Sequence, residues 1–277
     1  MKRAITGAVV ALTMMGAPLT ASAQAIPATT TDALCRKDLH KTLSRLTRAS
    51  FQGMVNCHKL RMKGRIAAGS DCNAEATAPT QTRIDRERAK VRRRAEVSCT
   101  GQRRPAVSPP SVHGYDSCPA PCASVPIGES YGGVVDCLVC LNTAHPAELV
   151  TSTPGTPPTP ADSALRRCQE RIGSAAWRYL TTRMKLQHAC QSNVERGHLP
   201  TTTDCVTADP RGRLARARAT LERVVARCDD ARLASLDSCG TTSAATTSCV
   251  ATGVEDVAAA LFRAVFRSVN EPPTATP

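Results

Sequence analysis

Aromatic side chains are scarce in this chain: its 277 residues include three Tyr, three Phe and one Trp. Proteins that grip single-stranded nucleic acid stack bases on aromatic rings, so specific nucleic-acid recognition is not expected. Long apolar runs are missing except at the amino terminus, which excludes a bundle of membrane-spanning helices. There is no P-loop, no Rossmann glycine pattern, no H-E-x-x-H and no EF-hand loop. No cofactor is therefore expected, and no complete catalytic constellation can be assembled, so the chain reads as a non-enzyme. Hydrophobic residues at 42% and charged ones at 21% fit a folded chain of one or two domains rather than a disordered one.

What the chain does have is cysteine, 14 in all, and arginine, 29 against 7 lysines, with a formal net charge of +13. The amino terminus fits an export signal. Lys2 and Arg3 precede a mostly apolar stretch from Ala4 to Leu19, and Ala21-Ser22-Ala23 has the small-x-small pattern of a cleavage site. Residues 1–23 are read as a signal peptide, which places the mature chain in the periplasm or outside the cell, where an even number of cysteines reads as disulfides.

The cysteine spacing repeats. Cys35, Cys57, Cys72 and Cys99 are 22, 15 and 27 residues apart, and Cys168, Cys190, Cys205 and Cys228 are 22, 15 and 23 apart. Ser70-Asp71-Cys72 faces Thr203-Asp204-Cys205, and Asp116-Ser117-Cys118 faces Asp237-Ser238-Cys239. The expectation is an internal duplication. Module one spans residues 33–150 and module two 162–270, with a Pro/Thr-rich linker at 151–161, a flexible start at 24–32 and a disordered tail at 271–277.

Inside each copy the apolar period is helical. Cys35, Leu39, Leu43, Leu46, Ser50, Met54 and Cys57 step by three and four, as do Cys168, Ile172, Ala176, Tyr179, Arg183, Leu186 and Cys190. A second helix follows in each copy, marked by Ile84, Val91, Ala95 and Cys99, and by Leu214, Ala217, Leu221, Val224 and Cys228. A shorter third helix is predicted over 134–150 and over 254–269, with Ser130 and Thr252 as caps. The fold class is therefore all-α: two disulfide-stapled helical hairpins, each with a short third helix.

Helix geometry restricts the bridges. Twenty-two helical residues rise roughly 33 Å, whereas bonded cysteines keep their Cα atoms within about 7 Å. Cys35 cannot reach Cys57 along one helix, but an antiparallel second helix returns Cys99 to Cys35 and leaves Cys72 near Cys57. The expected pairs are Cys35–Cys99, Cys57–Cys72, Cys168–Cys228 and Cys190–Cys205. Cys118, Cys122, Cys137 and Cys140 have the paired spacing of a structural zinc site, with His113 and His145 nearby. The second copy keeps only Cys239 and Cys249, a loss that a disulfide tolerates and a four-ligand site does not, so no metal is expected. Two connectivities stay open. The Asp-Ser-Cys match favours Cys118–Cys137 with Cys122–Cys140, while simple nesting gives Cys118–Cys140 with Cys122–Cys137.

Gly128-Glu129-Ser130-Tyr131-Gly132 fits the G-x-S-x-G elbow of serine hydrolases, but no parallel strand is predicted before it, and Ser130 reads better as a helix cap. His145, His188 and His198 form no cluster with it, and His40 and His58 read as surface or edge residues of helix one. Asp229-Asp230 reads as a solvated turn. Charge is the one feature that implies a partner. The second helices hold Arg83, Arg86, Arg88, Lys90, Arg92, Arg93 and Arg94 in the first copy, and Arg211, Arg213, Arg216, Arg218, Arg223 and Arg227 in the second. Guanidinium groups suit bidentate contact with phosphate or carboxylate, so an anionic envelope polymer is the candidate partner, with another envelope protein as the alternative.

At these spacings the chain resembles a set of secreted bacterial cysteine-rich proteins with tandem helical modules. The residues that carry the resemblance are Cys168-Gln-Glu-Arg-Ile172 with Tyr179 in the same helix, and the later turn Cys137-Leu-Val-Cys-Leu141. The resemblance covers roughly residues 33–269. It implies architecture and no activity.

Overall fold

A computed structural model describes residues 29–73, 78–100, 107–153, 161–236 and 239–267. All the regular structure among them is helical: α1 (Thr30–Met62), α2 (Ala78–Cys99), a 3-10 turn (Pro110–His113), α3 (Tyr131–Ser152), α4 (Ser163–Glu195), α5 (Arg213–Val225), α6 (Asp230–Ser235) and α7 (Ser243–Val265). The proposed signal peptide, the tail and residues 154–160 of the expected linker lie outside the described residues.

The two longest helices, α1 and α4, start where a side chain can take up their first free amides. The Thr29 hydroxyl accepts from the Asp32 amide, and Asp162 accepts from the amides of Ala164 and Leu165 at 2.7 Å each. Residues 29–32, expected to be flexible, therefore form the cap and first turn of α1, and Asp32 is buried there. Asp209 accepts from the amides of Arg213, Leu214 and Ala215 at the start of α5.

The third helices are longer than their apolar patterns predict. In α3 the two glycines before Val134 are helical, and at Gly133 the absence of a Cβ lets the backbone of Ile127 pass against the helix. Ser130 holds the N-cap position of α3, but its side chain makes no capping hydrogen bond. In the second half the cap is Thr242, which accepts from the Ala245 amide, and Thr252 lies inside α7. The helix also ends sooner, at Val265 rather than 269.

The structure contains seven disulfides and, among the described residues, no free cysteine. Cys35–Cys99 and Cys168–Cys228 close the open ends of the two hairpins, and Cys57–Cys72 and Cys190–Cys205 pin the connecting loops to the far ends of α1 and α4. Cys118–Cys137 and Cys122–Cys140 anchor the segment before α3, and Cys239–Cys249 anchors the start of α7. Such a set fits an oxidising, extracellular or periplasmic compartment. No helix among the described residues is long and apolar enough to cross a membrane.

The two halves share one continuous core through the α1/α4 and α3/α7 contacts. α1 and α4 run antiparallel: Phe51 meets Trp177 with ring centroids 5.5 Å apart, Lys59 pairs with Glu170 at 3.2 Å, and His40 stacks on His188. Gly173 sits against Val55, where an added Cβ would contact the valine at 3.4 Å. His40 and Gly173 each lie five residues after the first cysteine of their half, and Val55 and His188 each lie two before the second. The His40–His188 and Val55–Gly173 contacts are thus the same contact with the halves exchanged, the relation found across a two-fold dimer interface.

Candidate anion-binding face

The basic residues of α2 are largely neutralised. Arg88 pairs with Asp85 at 3.1 Å, Lys90 with Glu87 at 2.6 Å, Arg92 with Asp136 of α3 at 2.9 Å and Arg94 with Asp38 of α1 at 2.9 Å. Arg83 donates to Gln52 at 3.4 Å. That leaves Arg83, Arg86 and Arg93 without an ion-pair partner among the described residues, the last two on one stripe of the exposed face. Pairing of this kind stabilises little at an exposed surface, but it removes charge that a polyanion would otherwise meet.

The second half is arranged differently. Arg211, Arg213, Arg216 and Arg227 are exposed and have no ion-pair partner among the described residues. Arg218 lies 3.7 Å from Glu222 and 3.8 Å from Glu255, and Arg223 turns back onto the Ala219 carbonyl and the Thr220 hydroxyl. Beside them, between α4 and α5, runs an open groove of about 320 Å³. Its charge comes mainly from α4, whose Arg167, Arg171 and Arg178 line it opposite Arg227. None of these four guanidinium groups has an ion-pair partner among the described residues. The one acid in the groove, Glu170, is already engaged by Lys59.

Arg167, Arg171 and Arg178 do not appear in a reading that counts charge helix by helix. Their signal is spacing: steps of four and seven place all three on one face of a helix. The bridge between Cys168 and Cys228, with Cα atoms 5.8 Å apart, then joins the chain neighbours of Arg167 and Arg227 and fixes the groove's end. Counting from the bonded cysteines, the first half has Leu34, Asp38 and Ser98 where the second has Arg167, Arg171 and Arg227. There Asp38 accepts from Ser98 at 2.7 Å and pairs with Arg94, and although Lys37, Lys41 and Arg45 stand where the second half has Glu170, Ser174 and Arg178, the arginines beside the bridge are missing.

The other candidates do not assemble into a site. Ser130 is exposed at the N-cap of α3, with no strand before it and no histidine hydrogen-bonded to it among the described residues. His145 pairs with Glu148 of its own helix at 3.1 Å. His198 is exposed in the turn after α4. The sulfurs of Cys118, Cys122, Cys137 and Cys140 are all in disulfides and offer no thiolate to a metal. Asp229 caps α6 by accepting from the Arg232 amide.

Two histidines are not where their sequence context places them. His40 and His58 are buried rather than at the surface. His58 lies between the Asn73 side chain at 3.0 Å and the Arg61 guanidinium at 3.1 Å. His40 is covered by the second half, through His188 and Phe266. Burial, reinforced by the neighbouring His188, pushes the His40 pKa down to about 3. A further buried group, Asp32, accepts from the amide and hydroxyl of Ser108 and the hydroxyl of Thr29, and lies 3.4 Å from His113. Burial alone would raise its pKa, but these hydrogen bonds and the nearby imidazole outweigh burial and hold it below the usual carboxylate value.

No family model, curated protein or solved structure matches this chain.

Proposed function

We propose that the protein is an exported, non-enzymatic binding protein of the cell envelope or extracellular space, built from a duplicated helical hairpin, that holds an anionic polymer on the arginine face of its second half. The observation that carries this reading is the groove between α4 and α5, where Arg167, Arg171, Arg178 and Arg227 face one already paired carboxylate. Arg211, Arg213 and Arg216 extend the same unpaired charge along the entry to α5. Export is supported by the signal-like residues 1–23 and by the seven disulfides. Duplication is supported by the repeated cysteine intervals and by the exchanged His40–His188 and Val55–Gly173 contacts.

Phosphate, sulfate and carboxylate polymers release condensed counterions when arginines replace them, so binding should weaken steeply with salt. The oxidised chain without residues 1–23 is expected to stay on immobilised heparin at low salt and to elute as salt rises. Passage through the column at low salt would remove this reading.

A further inference from the structure

We infer that the groove between α4 and α5 is a binding site for phosphate esters, with Arg171 and Arg227 as its principal ligands from opposite walls. This rests on the anion-binding reading of the same face and specifies its ligand.

The shape of the charge favours phosphate over carboxylate. A carboxylate carries one charge on two coplanar oxygens, and a single guanidinium fork satisfies it. Here three guanidinium groups of α4 and one from the turn after α5 line one groove, and each has five N–H donors. A phosphomonoester presents three terminal oxygens and close to two negative charges at neutral pH, which several guanidinium groups can share. The rest of the groove suits an ester. Ala175 and Val224 provide apolar surface for a carbon skeleton, and Ser174 and Thr220 provide hydroxyls beside it.

The walls are held in place before any ligand arrives. Cys168–Cys228 ties the two helices beside Arg167 and Arg227, and the Lys59–Glu170 pair ties the groove to α1. Fixing the ligand-binding groups in advance lowers the ordering cost of binding. The corresponding place in the first half has Asp38 and Ser98 instead of Arg171 and Arg227, with Asp38 taken up by Arg94 and Ser98, so it lacks the two principal ligands. One such site per chain is therefore expected.

Isothermal titration of the intact oxidised protein with glucose 6-phosphate tests this, with glucuronate as the carboxylate control. Sedimentation with phosphatidylcholine vesicles containing phosphatidic acid tests a lipid-borne ester. Saturable one-to-one binding of glucose 6-phosphate identifies a soluble ester, and vesicle binding alone identifies a headgroup. In either case the paired substitution Arg171→Gln and Arg227→Gln should weaken binding roughly tenfold to a hundredfold. Arg86→Gln with Arg93→Gln on α2 should leave it unchanged. Glucuronate binding as tightly as glucose 6-phosphate, equal losses from both variant pairs, or no binding in either assay would overturn the inference. Heparin retention without ester binding would remove the ester site alone. Ester binding by a chain that passes through heparin would remove the polymer reading alone.

Discussion

His40 lies flat against His188, with ring centroids 4.4 Å apart and planes 4° from parallel, so a pair of stacked imidazoles forms part of the contact between the two halves. Phe266 tilts against both rings, the Ser44 hydroxyl is 3.3 Å from His40 Nε2, and Lys37 and Arg196 add positive charge near His188. Two protonated imidazoles cannot share that space with those cations.

Acid should therefore loosen the joint. Burial, with the neighbouring His188, lowers the His40 pKa to about 3, and burial, with Lys37 and Arg196, lowers that of His188. The ordinary value is 6.5. Between those limits the unfolded chain binds more protons than the folded one. The stability that neutral His40 provides is complete above about pH 6.5 and is lost as pH falls toward 3, at ~1.4 kcal/mol per pH unit, and that of His188 is lost in the same direction. Urea unfolding from pH 7 to pH 5 is expected to show a falling midpoint. His40→Phe keeps a ring in the stack and takes no proton, so it should shrink the slope by about one proton's worth. His58, His113 and His188, also lowered by burial, keep the rest of it. An unchanged slope in the variant would count against the stacked pair as its source.

Loop length should rank the disulfides. Cys168–Cys228 closes 60 residues and Cys57–Cys72 closes 15. On the chain-entropy account, removing them by paired Cys→Ala changes costs about 4 and about 3 kcal/mol respectively. Denaturant midpoints of the two double variants should fall in that order, and the reverse order would show that native contacts, not loop closure, decide.

Gly133→Ala should be more damaging than an alanine in a helix ordinarily is. Alanine normally favours a helix over glycine by about 1 kcal/mol. At this position its Cβ would meet the Ile127 carbonyl at 1.8 Å, so the segment held by Cys118–Cys137 and Cys122–Cys140 must shift. A loss of about 1–3 kcal/mol is expected in thermal or urea unfolding. A gain in stability would mean that the close approach is absent in solution.

The long helices can be read from the sequence because the residues that bury them, such as Leu39, Leu43 and Leu46 in α1, keep a helical step between two cysteines. The start of α7 cannot. Residues 243–249 are Ser, Ala, Thr and Cys with no large apolar residue to mark a face, and their helix depends on the Thr242 cap and the Cys239–Cys249 bridge. His40 looks like a surface residue because its cover comes from the other half of the chain, which no local pattern records. The arginines divide in the same way. Those of α2 look like the stronger site when charges are counted along a helix, yet Asp38 and Asp136 from neighbouring helices take two of them. The groove needs α4 and α5 side by side before Arg171 and Arg227 can be seen as opposite walls.

The most direct test of a function located on the second half is the salt concentration at which two variants leave immobilised heparin. The pair Arg171→Gln with Arg227→Gln and the pair Arg86→Gln with Arg93→Gln each remove two positive charges, so simple net charge predicts equal shifts. The groove account predicts a clearly earlier elution for the first pair and little change for the second. Equal shifts, or a larger one for the α2 pair, would contradict it.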